Sequence, residues 1–525
     1  MRSPTQTFRT GLGAATALAV GATLVGAAPS TGATDIDSAA ITPKTSFTMK
    51  ADGSSGTATK GNRIPNLDIV KKTVRTYYNA TNGIADKTTS PYITEMKAIQ
   101  DAQAAYLDQA FTTVTAAGKI PAIVLDTDDT TLWNYDMEDG AMGFHYDPAL
   151  QNTWVQEQRF PATPGMVAFA NAAAAKGFAV FGITGRGDSQ RTATLANLTK
   201  VGYTAFAPER FFTKWPGTDK PAYVTCAVVT ACTTVEYKAG TRKHIETDLT
   251  GTGGKSYDIV LNVGDQWSDL MGGYADKTLK LPNPTYYLPS PNLPGVSEPA
   301  LAPKTQFTML PDGSSGATVG GENIPNIDST IATIRAYYNA KDGIARRSRS
   351  AFVKELRTAT RAKAAKIKTQ CKKADRPRGR HKTPAVVFDV DDTLLWTYDL
   401  QDAGSGFAGD AALRKTWVKK KKFQSVPTMA KMVRKAKRGG CAVIAITERP
   451  VDELAQTRKN LNKRFNWVFS KNNVISSTNK AATRAQLKQT RRLRILWNVG
   501  DQPADLLGGH AEHRFQVPNP TYYQP

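Results

Sequence analysis

Most of this chain's distinctive words occur twice, and that duplication constrains the fold more than any single motif. TPKTSFTMKADGSSG at Thr42 returns as APKTQFTMLPDGSSG at Ala302, and IPNLD at Ile64 returns as IPNID at Ile324. YYNATNGIA at Tyr77 returns as YYNAKDGIA at Tyr337, and LPNPTYY closes the first copy as VPNPTYY closes the second. A period this long is domain duplication, since solenoid units run to only about 50 residues. The first copy spans residues 42–287 and the second 302–523. Residues 288–301 form a Pro-rich linker, which composition predicts to be extended and stiff. Whatever fold is read from one copy must therefore serve both.

Within each copy, short apolar runs alternate with helical patterns. ITEMKAIQDAQAAYLDQAFTTV reads as helix and leads into the strand PAIVLD. TPGMVAFANAAAAKG reads as helix before the strand FAVFGIT, and TRKHIETDL as helix before YDIVLNVGD. Continuous apolar strands separated by helices predict a parallel sheet covered on both faces. Ligands of such sheets bind beyond the carboxyl ends of the strands. The polar words DTDDT, TGR and GDQWSD all follow strands, so three strands bring polar groups to one edge.

AIVLDTDDTTLW, from Ala122, is repeated as AVVFDVDDTLLW, from Ala385. Acids at the end of an apolar strand are costly unless something pairs with them. Asp126 and Asp128 lie at i and i+2 and in extended chain face the same way, as do Asp389 and Asp391. A hard cation such as Mg²⁺ would relieve their repulsion. Asp265 and Asp501 can add a further carboxylate, with Asp269 and Asp505 one helical turn on. With a phosphate held there, one aspartate can attack phosphorus while another handles the leaving-group proton. Thr184 and Thr447 can donate a hydrogen bond to a phosphate oxygen, and a lysine is needed to offset the charge. EYKAGTRKHI offers Lys238 and Lys243, whereas TNKAATRAQL keeps only Lys480, the partner of Lys238. The duplication thus selects Lys238 and Lys480. Asp129 caps or braces the turn, and Trp133 and Tyr135 either stack on substrate or pack in the core.

These motifs resemble the haloacid dehalogenase-like hydrolase superfamily, and within it the secreted acid phosphatase branch that includes plant acid phosphatases and vegetative storage proteins. The DxDxT pattern falls on Asp126, Asp128 and Thr130 and again on Asp389, Asp391 and Thr393. The second-motif threonine falls on Thr184 and Thr447, and the third-motif lysine on Lys238 and Lys480. The fourth motif, GDxxxD, falls on Asp265 and Asp269, and on Asp501 and Asp505. The resemblance implies two tandem Rossmann-like α/β domains, each a parallel sheet flanked by helices with a small helical cap. It also implies Mg²⁺-dependent hydrolysis of small phosphate monoesters through an aspartyl phosphate. The first aspartate would be nucleophile and the second acid/base, with the metal held by the first aspartate's carboxylate (Asp126, Asp389), the second aspartate's backbone carbonyl (Asp128, Asp391) and the fourth-motif acids. Relatives that only store or bind keep an alternative open, a non-catalytic protein that contacts a polyanion or the cell envelope. The second copy departs at Glu448, where the first has Gly185, and at Pro503 and Ala504, where the first has Trp267 and Ser268. Equal substrate preference is therefore not expected.

Charge divides the copies. Residues 301–525 carry 42 Lys and Arg against 18 Asp and Glu, a balance of +24 in a chain whose total is +23. A basic face of that size attracts polyanions or serves as a solvated surface. Residues 1–33 have the layout of a secretory signal peptide, with Arg2 and Arg9 before a small apolar run. No later apolar run is long enough to span a bilayer. An exported chain with four cysteines suits one or two disulfides. Cys226 and Cys232 would pin an insertion that the second copy lacks, and Cys371 would pair with Cys441 or stay a buried thiol.

Overall fold

The computed structural model describes residues 64–217, 219–228, 231–288, 318–319, 322–374 and 382–524. The signal-like segment, linker residues 289–301 and both DGSSG words lie outside the described residues.

Each copy builds one five-stranded parallel sheet. In the first, β1 (Ile120–Leu125), β2 (Ala179–Gly187), β3 (Phe211–Lys214), β4 (Tyr257–Gly264) and β5 (Lys277–Lys280) lie in the order β3-β2-β1-β4-β5. In the second, β6 (Thr383–Phe388), β7 (Ala442–Thr447), β8 (Val474–Ser476), β9 (Leu493–Gly500) and β10 (His513–Gln516) take the same order, β8-β7-β6-β9-β10. Alternate residues of β1 serve opposite faces, as strand geometry requires. Ile123 and Leu125 pack into the core shared with the helices Pro91–Asp101, Ala104–Ala116 and Met166–Lys176. Ala122 and Val124 pack with Tyr237 and Ile245 of the helix Thr234–Thr247. Both faces are covered, which is why the strands read as unbroken apolar runs. A small helical cap, the π-helical turn Asp136–Ala141 with the helix Pro148–Gln156, follows the β1 loop.

Two details depart from the sequence reading. The long helical stretch before β1 is broken between Asp101 and Ala104, whereas the second copy runs unbroken over Ala351–Ala374. The TGR word lies inside β2 in the first copy, not after it. Both disulfides form, Cys226–Cys232 in the insertion and Cys371–Cys441 between the helix Ala351–Ala374 and the start of β7. Among the described residues, no helix is long and apolar enough to cross a membrane.

The copies are clasped to each other rather than strung as beads. Asn66 caps the helix Leu67–Tyr77, and its Nδ2 donates to the Tyr522 carbonyl of the other copy at 2.8 Å. Asn326 caps the helix Ile327–Tyr338 and donates to the Tyr286 carbonyl at 2.8 Å. The next backbone N–H repeats the pattern, Leu67 to Pro520 at 2.9 Å and Ile327 to Pro284 at 2.9 Å. Each copy's first helix thus docks on the PNPTYY turn of the other. Lys71 bridges the seam, donating to the carbonyls of Gly143 (3.1 Å) and Phe407 (2.7 Å). One apolar core runs through both copies.

Candidate active site

Asp126 is the first residue beyond β1, and Asp265 the first beyond β4. The intervening loop folds on the Thr127 carbonyl, which accepts N–H groups from Thr131 (2.9 Å) and Leu132 (2.8 Å). Asp129 turns the chain at φ +50°, and its Oδ1 accepts the Asn134 N–H at 2.9 Å. It braces the turn, using the left-handed conformation that Asp tolerates.

Oxygens of Asp126, Asp265 and Asp269 all lie within 4.8 Å of one another, and so do those of Asp389, Asp501 and Asp505. All six residues are buried. Lys238 reaches in from the helix Thr234–Thr247 and donates to Asp126 (2.5 Å) and Asp269 (2.6 Å). Lys480 repeats this with Asp389 (2.8 Å) and Asp505 (2.5 Å). Lys243, the discarded candidate, is exposed on the far side of its helix.

Three carboxylates around one ammonium leave negative charge in excess. Burial pushes Asp126 well above the carboxylate range, and Asp269 and Asp265 add repulsion that Lys238 only partly offsets. Burial and Asp269 raise Asp265 to about 6, and burial and Asp505 raise Asp501 to about 7. Burial opposes the Lys238 charge, yet Asp126 and Asp269 hold it above the ordinary range. An all-oxygen, buried, electron-rich trio fits a hard divalent cation, which would supply the missing positive charge.

The Asp128 and Asp391 carboxylates lie outside these trios, and each is held by an arginine. Asp128 is bound by Arg186 through Nη2 (2.6 Å) and Nε (3.2 Å), and by Asn134 Nδ2 at 2.9 Å. Asp391 is held by Arg449 Nε at 2.9 Å, with Nη2 also bonded. In both copies the guanidinium pairs with the charge of the second aspartate. Burial alone would raise Asp128, but Arg186 outweighs it and holds the group below its ordinary range. Thr184 is fully buried, and its hydroxyl accepts the Arg186 backbone N–H at 3.2 Å; Thr447 does the same for Arg449 at 3.2 Å.

Sequence reasoning missed Arg186, Arg242, Asn262 and Asn283. Arg242 lies four residues after Lys238 and donates to the carbonyls of Asp269 (2.7 Å), Gly273 (2.9 Å) and Met271. Asn262 also donates to the Asp269 carbonyl (2.8 Å), and Asn283 holds Asp265 Oδ2 at 2.7 Å. Each has a counterpart in the repeat, Arg449, Arg484, Asn498 and Asn519, so the duplicated words GR/ER, TR, NVGD and PNPTYY held the signal. Trp133 and Tyr135 belong to the core, buried against Tyr78 and Tyr92.

A cavity of about 480 Å³ opens over the first trio, walled by Glu138, Phe144, Tyr146, Tyr286 and Leu288 among others. In the second copy Glu448 stands at the site's edge, 3.9 Å from Lys480, where the first has glycine.

Fold and site together define a haloacid dehalogenase-type α/β domain, present twice. The family model described as "HAD superfamily, subfamily IIIB (Acid phosphatase)" matches residues 46–289 and 329–525, and the chain belongs to that family. Similar proteins include a stem 28 kDa glycoprotein of Glycine max, 31% identical over 31% of this chain and 59% of its own length. Acid phosphatase 1 of Solanum lycopersicum is 29% identical over 31% of this chain and 58% of its own. The chain thus spans less than two thirds of these relatives. A solved class C acid phosphatase of Bacillus anthracis is 24% identical, covering 37% of this chain and 80% of its own, with a TM-score of 0.28.

Proposed function

We propose that the protein is a secreted Mg²⁺-dependent acid phosphatase with two catalytic sites, each hydrolysing phosphate monoesters through an aspartyl phosphate. The observation that carries this reading is the doubled constellation: a buried carboxylate trio with an inserted lysine, beside an arginine-held second aspartate. Export rests on the signal-like residues 1–33 and on two disulfides, which persist in oxidising compartments.

Asp126, Asp265 and Asp269 would hold Mg²⁺ in the first site, and Asp389, Asp501 and Asp505 in the second. When bound, the ion would neutralise phosphate oxygens and sharpen the electrophilicity of phosphorus. Asp126 attacks phosphorus as its bond to the leaving oxygen breaks. That oxygen takes a proton through Asp128. Arg186 keeps Asp128 charged at rest, so the proton arrives with the substrate as its monoanion, the form present below about pH 6. Asp128 then takes a proton from water, whose oxygen attacks phosphorus and frees Asp126. Lys238 donates to Asp126 and keeps it oriented throughout. Asp389, Asp391, Arg449 and Lys480 play the same parts in the second site, with Thr184 and Thr447 positioning the two arginines. Phosphate release from a simple monoester should vanish with a chelator and return with Mg²⁺. Full turnover in the chelator's presence contradicts the reading.

A second reading concerns the basic copy. Lys354, Arg357, Arg361 and Lys372 are exposed along the helix Ala351–Ala374, and Lys431, Arg434, Lys437 and Arg438 along the helix Met429–Arg438 packed beside it. None of these forms an ion pair among the described residues. No large exposed hydrophobic lies on either helix. The pair is built to hold a phosphate-backboned polymer rather than to enter a bilayer.

A further inference from the structure

The cavity over the first site is not walled by the first copy alone. Among the described residues, every lining side chain comes from positions 126–288 except Asp328, which comes from the second copy. Asp328 is the second residue of the helix Ile327–Tyr338, the helix that docks on the PNPTYY turn of the first copy. Its Oδ2 accepts the Tyr287 N–H at 3.3 Å, which fixes the carboxyl beside Tyr286 and Leu288 in the cavity wall. The same clasp places Asp68 against the Tyr523 N–H at 3.2 Å in the second site. The surroundings differ, however. Leu288 and Tyr146 of the first wall are replaced by Gln524 and Gly409 in the repeat.

The phosphate-handling groups of the first site all come from its own copy, so Asp328 is free of that task. A carboxylate on the wall of a cavity acts on whatever part of the ester is not phosphate. It favours a leaving group with a positive charge or hydrogen-bond donors and disfavours a second anionic group, because like charges brought together in a closed site cost binding. The Phe144, Tyr146 and Leu288 surfaces beside it suit methyl or methylene groups around such a charge.

We propose that Asp328 is a specificity-determining residue of the first site, supplied by the second copy, and that it selects phosphate monoesters with cationic over anionic leaving groups. The proposal rests on the phosphatase reading above. Its test uses the full chain carrying Asp389→Asn, so that only the first site turns over. The expected order of kcat/KM is phosphocholine above glycerol phosphate above 3-phosphoglycerate, with a spread of at least tenfold between the ends. Asp328→Asn keeps an acceptor for the Tyr287 N–H, and it should narrow that spread at least threefold, through KM rather than kcat. Asp328→Lys should invert the order. An even spread in the parent, or one unmoved by both variants, overturns the proposal. Equal narrowing by Asp68→Asn, which changes the matching contact in the other site, overturns the assignment to Asp328. Absence of turnover on all three esters overturns the phosphatase reading as well, which distinguishes the two failures.

Discussion

Glu138 and Gln401 occupy the same place in two otherwise similar loops, and their surroundings explain what a single oxygen-for-nitrogen exchange does. Gln401 Nε2 donates to Asp392 Oδ2 at 3.0 Å. Glu138 has no proton to give in its charged form, and Glu138 Oε2 and Asp129 Oδ2 are both buried without partners. Burial raises Glu138 to about 8, with nearby carboxylates adding to it. An acid whose folded pKa lies above its unfolded value stabilises the fold at low pH and loses that contribution as pH rises through the interval between them. Here the interval runs from about 4.5 to about 8. By pH 7 the loss is on the order of 3 kcal/mol. Glu138→Gln should therefore flatten the fall in Tm between pH 5 and pH 8, and an unchanged slope would refute the assignment. At this scale much was legible. Asp126 and Lys238 could be picked from the sequence because the repeat kept them and dropped Lys243. Arg186 could not be assigned, since a buried arginine is explained only by its acceptor, and Asp128 lies 58 residues away in sequence.

Elements were legible where pattern alone decides them. The apolar strands announced themselves because both sheet faces are covered, and the helix Thr234–Thr247 opens on a capping box formed by Thr233 and Glu236. The break after Asp101 was not, because no Pro or Gly marks it. The basic helices Ala351–Ala374 and Met429–Arg438 carry the prediction that belongs here. Lys354 to Lys372 spans roughly 27 Å of helix at about 1.5 Å per residue, long enough to follow several phosphates. The full chain should bind sodium polyphosphate with an affinity that falls steeply as salt rises. Replacing Arg357, Arg361, Arg434 and Arg438 with Gln should lower the log–log salt slope by about 3, at about 0.7 per lost phosphate contact. A slope that the four replacements leave unchanged would remove this surface from consideration, and equal binding to anionic vesicles would favour a membrane instead.

The reciprocal clasp is a property of the whole molecule, and nothing in either copy read alone discloses it. The Pro-rich linker reads only as an extended, stiff connection. Yet the words that close each copy, PNPTYY, receive the capping asparagine of the other, Asn66 on Tyr522 and Asn326 on Tyr286. An asparagine before a helix looks the same in sequence whether its amide serves its own domain or a neighbour. Because the contact is double and the apolar core continuous, a single proteolytic cut in the linker should leave both halves eluting together under native conditions and apart in denaturant. Separation of the halves without denaturant would show the clasp to be weaker than its hydrogen bonds and buried apolar surface imply. The central claim, two sites working by the same aspartate chemistry, is tested most directly by phosphate release from a simple monoester. Wild type should be compared with Asp126→Asn, Asp389→Asn and the double variant. Each single variant should retain the turnover of the other site and the double variant should fall by at least a thousandfold, whereas wild-type turnover in the double variant would contradict the account.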